Sequence, residues 1–140
     1  MVIKFTPSLE IKMIFKAIFS KISSGNPWKN SSKYSNISFY SRGAWALYDG
    51  VIQALELKGK KKGAAWFPDY FCNEALIPLR DKGIDLNFYP INRDLEPDWE
   101  YIENKLKNNY SVDIFVLVHY FGFIFPLEKA TKICKKYNMI

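Results

Sequence analysis

From Ile37 onward, short apolar runs alternate with stretches whose apolar residues recur at helical spacing, and this rhythm constrains the fold more than any other feature of the chain. Residues 37–40 read as a short strand. Residues 44–57 read as a helix with Leu47, Val51, Ile52, Ala54 and Leu55 facing inward. Ala64-Ala65-Trp66-Phe67, stopped by Pro68, is too short for a buried helix and suits a buried strand. Residues 71–82 follow as a helix broken near Pro78 and ended by Gly83, and residues 86–89 as a strand closed by Pro90. A helix over 98–107 turns Trp99, Ile102 and Leu106 inward, with Asp94 and Asp98 in the turn and helix start before it. Residues 112–119 form the plainest buried strand of the sequence. Pro126, at the favoured first helical position, opens a helix through Tyr137. Strands and helices alternating in this way predict an α/β fold of three layers, a mostly parallel sheet flanked by helices.

In such sheets ligands gather at the carboxyl ends of the strands. Residues 41–43, 69–72 and 119–122 all fall at those ends. Ser41-Arg42-Gly43-Ala44 carries the chain into a helix whose first N–H groups lack intrahelical acceptors and bear partial positive charge. Gly43 keeps the approach free of a side chain, Ser41 offers a hydroxyl and Arg42 a cation, so the turn is a candidate phosphate cradle. A glycine turn before a helix is more often only structural, so the other two turns on the same rim carry the weight.

At 140 residues, 49% of them hydrophobic and 17% aromatic, the chain can build one real core, and general disorder is excluded. The net charge of +6 suits an anionic ligand without choosing one. Lys58, Lys60, Lys61 and Lys62, set around Gly59 and Gly63, read as a solvated helix-to-strand loop. Cys72 and Cys134 have no CxxC partner, and with the single His119 they supply no usual zinc set, so no metal is expected and both thiols are read as buried and reduced. Trp45 and Trp66 are read as core residues. Ahead of the alternating region, Ile11, Ile14, Phe15, Ile18 and Ile22 lie at one-face helical spacing, interrupted by lysines and too short to span a bilayer. That divides the chain into an N-terminal helix and connecting arm, residues 1–36, and an α/β region, residues 37–140. Met139-Ile140 reads as the first step of another strand, which suggests a partial chain.

Trp66-Phe67-Pro68-Asp69-Tyr70-Phe71-Cys72, then Asp94-Leu95-Glu96-Pro97-Asp98, then His119-Tyr120-Phe121-Gly122 after an apolar strand resemble, in that order, the first half of the large domain of the DegT/DnrJ/StrS sugar aminotransferases. These are pyridoxal-phosphate enzymes of fold type I. The resemblance covers residues 39–140 and implies an incomplete PLP-transferase large domain. It implies pyridoxal 5'-phosphate as cofactor, held at its phosphate by Ser41, Arg42, Gly43 and Ala44, with Ala44 standing where the family usually has a threonine hydroxyl. It implies that one of Tyr70, Phe71 and Cys72 meets the cofactor ring and that His119 and Tyr120 border the substrate. The Schiff-base lysine and the aspartate that pairs with the pyridinium nitrogen find no counterpart in these residues, so no catalytic residue is assigned and the segment alone is expected to be inactive. The implied reaction moves an amino group from an amino-acid donor to a keto-sugar nucleotide, for polysaccharide or cell-surface sugar synthesis, in a cytoplasmic homodimer without nucleic acid or membrane contact.

A second reading needs no cofactor. A basic, aromatic chain of this size also suits a non-catalytic interaction module, touching a membrane periphery through residues 9–22.

Overall fold

The computed structural model describes residues 38–125 and 127–140. The expected helix over 9–22, the arm that follows it, Ile37 and Pro126 lie outside them. Residues 39–140 form a unit of their own. Helix α1 spans Gly43–Leu57, strand β1 Ala64–Pro68, helix α2 Ile77–Asp81 and strand β2 Asp85–Tyr89. Helix α3 spans Trp99–Lys107, strand β3 Ile114–Phe115 and helix α4 Leu127–Lys136. Short 3-10 turns occupy Asn73–Leu76 and Tyr120–Gly122.

The three strands make a parallel sheet in the order β2-β1-β3, with Phe67 opposite Phe88 and Ala65 opposite Ile114. Successive side chains of a strand leave opposite faces, and that period sorts the core into two layers. Ala65, Phe67 and Ile114 pack with Val51 and Leu55 of α1 and with Leu76 and Leu79. Trp66, Tyr89 and Phe115 pack on the other side with Trp99, Ile102 and Leu106 of α3 and Ala130 and Ile133 of α4. The result is a mixed α/β unit, a small parallel sheet with helices on both faces. The second layer is aromatic at its centre: Trp66 meets Tyr89 and Phe115 edge-on at 5.9 and 6.1 Å, and Tyr89 stacks on Phe115 at 4.9 Å.

Local chemistry explains the element ends. Asp98 caps α3, its Oδ1 accepting from the Tyr101 N–H at 3.0 Å. Gly83, at φ +75°, takes the left-handed position that stops α2. Pro78 falls inside the first turn of α2, so the expected break precedes it, between the 3-10 turn and α2.

Four expectations need correction. Residues 38–40 form no strand; they are exposed and pair with no other strand among the described residues. The long strand over 112–119 shrinks to Ile114–Phe115. Its ladder proceeds from Asp113 N–H on Ala64 O to Val116 N–H on Trp66 O, both 2.9 Å, and the next rung would need an N–H from Pro68, which has none. The Val116 carbonyl accepts the Tyr89 hydroxyl at 2.7 Å instead. Trp45 is not a core residue: it is 48% exposed and meets Tyr48 edge-on at 5.9 Å. The lysine loop is more than a solvated connection, since Lys60 Nζ lies 2.6 Å and Lys58 Nζ 3.7 Å from Asp113 Oδ1.

The chain's last residue does lie along the sheet. Ile140 N–H donates to Asp113 O at 3.0 Å and its carbonyl accepts from Phe115 N–H at 2.8 Å, so it flanks β3 in parallel. Among the described residues no helix is long and apolar enough to cross a membrane.

Candidate functional site at the carboxyl edge of the sheet

Immediately after β1 the chain turns through Asp69-Tyr70-Phe71-Cys72, with the Asp69 N–H held on Tyr89 O at 2.8 Å. Beyond β3, residues 116–119 bring Tyr120 to the same edge. The Tyr120 hydroxyl donates to the Tyr70 carbonyl, and the two rings lie 5.6 Å apart. A cavity of about 380 Å³ opens between these loops, lined by Tyr70, Phe71, Cys72, Val118 and Tyr120. Phe71 is anchored from below by Phe67, ring to ring at 5.3 Å. The lining is aromatic and apolar, with one thiol and two phenols.

Burial pushes the Tyr120 phenol up to about 12, with the Asp69 carboxylate and Tyr70 adding to it. At neutral pH it therefore keeps its proton and serves as a donor, already directed at a backbone carbonyl. Cys72 is exposed, against the expectation of a buried thiol; only Cys134 is partly covered, and burial raises its pKa.

Helix α1 reaches this edge from one face. At its C-terminal end Leu55 and Lys58 lie against Gly63 and Asp113, which precede β1 and β3, while the helix also touches the 3-10 turn that follows β1. It thus runs against the strands, and Ser41, Arg42, Gly43 and Ala44 sit at its N-terminal, carboxyl-edge end. Arg42 is the N-cap and makes no side-chain cap bond, while a Cβ built on Gly43 would meet nothing within 4 Å. The first-turn amides are therefore sterically open. None of these four residues lines the aromatic cavity.

His119 is placed differently from Tyr120. Its Nδ1 accepts the Phe125 N–H at 3.1 Å and its ring stacks on Phe125 at 6.0 Å, so it closes the loop over 119–125 rather than lining the cavity. The tip of that loop is exposed and apolar, with Phe121 81% and Ile124 83% exposed. Phe121 takes a left-handed φ of +52°.

The structure thus brings together Tyr70, Phe71, Cys72 and Tyr120. It leaves Ser41 to Ala44 at the same edge outside the cavity, and it gives His119 to loop closure. Val118 is the lining residue that reading the sequence missed. No local period marks it, because the chain leaves the strand after Phe115 and turns at Tyr120, so only the fold places Val118 beside Tyr120. Among the described residues no group of three or more His, Cys, Asp or Glu could hold a metal ion. Comparison with protein-family models, with curated proteins and with solved structures gave no match to this chain.

Proposed function

We propose that this chain is part of a pyridoxal-phosphate aminotransferase of the DegT/DnrJ/StrS type, carrying a portion of the cofactor site in an incomplete large domain. The observation that supports it most is the aromatic cavity itself, in which loops far apart in sequence meet at the carboxyl edge of a parallel sheet. The residues present fit the cofactor in part. The open first turn of α1, with Arg42 and Ser41, offers backbone donors and a cation suited to a phosphate. Tyr70, Phe71 and Tyr120 offer flat apolar walls suited to a pyridine ring.

When bound, the cofactor supplies an electron sink for chemistry at the amino-bearing carbon. The chain's own residues bind and orient. Tyr70 and Phe71 would flank the cofactor ring and Val118 would shield it from water, while the Tyr120 phenol, protonated at neutral pH, fixes the Tyr70 loop through its hydrogen bond. No lysine and no carboxylate lines the cavity, so these residues supply recognition and not covalent attachment. The proposed substrates are an amino-acid donor and a keto-sugar nucleotide, handled by a cytoplasmic homodimer.

Pyridoxamine 5'-phosphate tests the reading, because it lacks the aldehyde that would react with surface lysines. Titrated into the full chain and followed by its fluorescence, it should bind saturably, compete with inorganic phosphate, and bind at least ~10-fold more weakly, a loss of about 1.4 kcal/mol, to Arg42→Ala and to Tyr70→Ala. Absence of saturable binding, or binding indifferent to both substitutions, would overturn it. A second reading, an interaction module, draws support from the exposed Phe121, Phe123 and Ile124 tip. It predicts that Phe121→Ser with Ile124→Ser abolishes association while leaving any pyridoxamine phosphate binding intact.

A further inference from the structure

A second groove lies on the α3 side of the sheet, toward its amino edge, and owes nothing to the cavity described above. Tyr101, Asn104, Lys105 and Asn108 recur at helical spacing along one stripe of α3, opposite the stripe that buries Ile102 and Leu106. Asn109 and Tyr110 of the following loop form the other wall, and the six residues line an open groove of about 450 Å³.

The wall is preorganised. The Asn108 N–H donates to Lys105 O at 3.1 Å, the Tyr110 N–H to Lys105 O at 3.3 Å, and Tyr110 rests on the Trp66 ring at 5.0 Å. Asn109 stands at φ +60°, a conformation asparagine tolerates better than most residues. Lys105 Nζ sits 5.5 Å from the Tyr101 ring centroid, so its charge is engaged by an aromatic face. None of the three asparagine amides bonds another described side chain. All three line the groove, and each keeps a carbonyl acceptor and an NH₂ donor not taken by another described side chain.

We propose that this groove binds a neutral saccharide unit. A sugar hydroxyl is donor and acceptor at once, which an array of amides matches, whereas a carboxylate or a lone ammonium supplies only one role. The two tyrosine rings offer surfaces for the apolar C–H face of a pyranose. The groove holds no carboxylate for a cationic ligand and only one cation, already covering a ring, for an anionic one. An apolar ligand is disfavoured because four of the six lining residues are exposed polar side chains.

The test is a heteronuclear NMR titration of the full chain with the methyl glycosides of glucose, galactose and N-acetylglucosamine, with inorganic phosphate in a parallel arm. At least one glycoside should shift the amides of Asn104, Lys105, Asn108, Asn109 and Tyr110 saturably, with a Kd of roughly 1–10 mM. Tyr101→Ala should weaken this at least fivefold. Asn104→Ala, on an exposed position that leaves the fold intact, should do the same and guards against a folding defect in the first variant. No saturable glycoside shift, shifts confined to residues 70–72 and 118–120, shifts from phosphate alone, or equal affinity in Asn104→Ala would each overturn the assignment.

Discussion

At the amino edge of the sheet, one buried carboxylate gathers the chain. Asp113 Oδ1 takes the Lys60 ammonium at 2.6 Å and its Oδ2 the Ala64 N–H at 3.1 Å, while Lys58 approaches Asp113 and donates to the Asn138 carbonyl. At the carboxyl edge the chain meets through aromatic rings and two phenol-to-carbonyl bonds, Tyr89 to Val116 and Tyr120 to Tyr70, and leaves Phe121, Phe123 and Ile124 in solvent. Around Asp113 the first edge satisfies its polar groups and closes. The second leaves a cavity and an apolar tip. Burial of this kind stabilises a fold, whereas surface left open is where loops on a rigid scaffold can recognise something. Around Asp113 the sheet is thus held together by satisfied charge, whereas its carboxyl edge leaves aromatic surface available for binding.

The sharpest way to break this contrast is to remove Asp113. Asp113→Ala leaves the Ala64 amide without its acceptor and takes the counter-charge from Lys58 and Lys60, and we expect a loss of about 2–3 kcal/mol in urea unfolding, discounted because Lys60 is half exposed. A loss within 0.5 kcal/mol, roughly that of an ordinary surface substitution, would erase the distinction between the edges.

Next comes Gly63→Ala. A Cβ at Gly63 would land on Asp113 Oδ2 and 2.6 Å from Leu55 Cδ2, so the methyl forces the carboxylate or α1 to shift. Overpacking of this kind costs about 1–3 kcal/mol, readable as a lower urea midpoint.

Acid titration sharpens the same point. Burial would raise the Asp113 carboxyl, but the Lys60 and Ala64 hydrogen bonds and the two nearby ammonium charges outweigh it and hold the pKa below the usual value. A depressed folded pKa means stabilisation that is fully present above the unfolded carboxylate range and is lost as pH falls through the folded value. Asp113→Asn should therefore flatten the decline in stability below about pH 4, the unfolded range, relative to the parent chain. An unchanged acid limb would show that the carboxylate is not coupled to folding.

At the open edge the effects should be smaller. Tyr120→Phe removes the bond to the Tyr70 carbonyl and should cost about 1 kcal/mol while loosening residues 70–72, seen as faster amide exchange there. Phe121→Gly should be neutral or stabilise by up to roughly 1 kcal/mol, since relief of the left-handed backbone offsets glycine's larger unfolded-state entropy. A loss above that size would mean that the exposed ring packs on something in solution.

Much of this was legible beforehand. The inward positions of α3 and the buried run at Ala65-Trp66-Phe67 follow from periodicity, because an amphipathic repeat reports directly which side leaves water. That residues 38–40 form no strand was not legible, because an apolar run states a wish for burial and pairing is decided by a distant partner. Nor was the end of β3, since the missing donor belongs to Pro68, far away in sequence. The aromatic site residues at Tyr70 to Cys72 and Tyr120 could be named one loop at a time, but that they share a cavity could not. The misreading of the lysine loop has the same origin, for charge clusters look solvated until a buried carboxylate is placed beneath them.

By itself the sequence determined the alternation of strand and helix, the parallel class of the sheet and the rim on which its polar and aromatic turns would fall. Those are consequences of local hydrophobic period and of proline and glycine chemistry. Only the tertiary structure decided that Asp113 would lock one edge, that Pro68 would cut the third strand short, and that Val118 and Tyr120 would face Tyr70 across a cavity. Each of these depends on atoms brought within a few ångströms by chain segments tens of residues apart, and no local pattern encodes such a meeting.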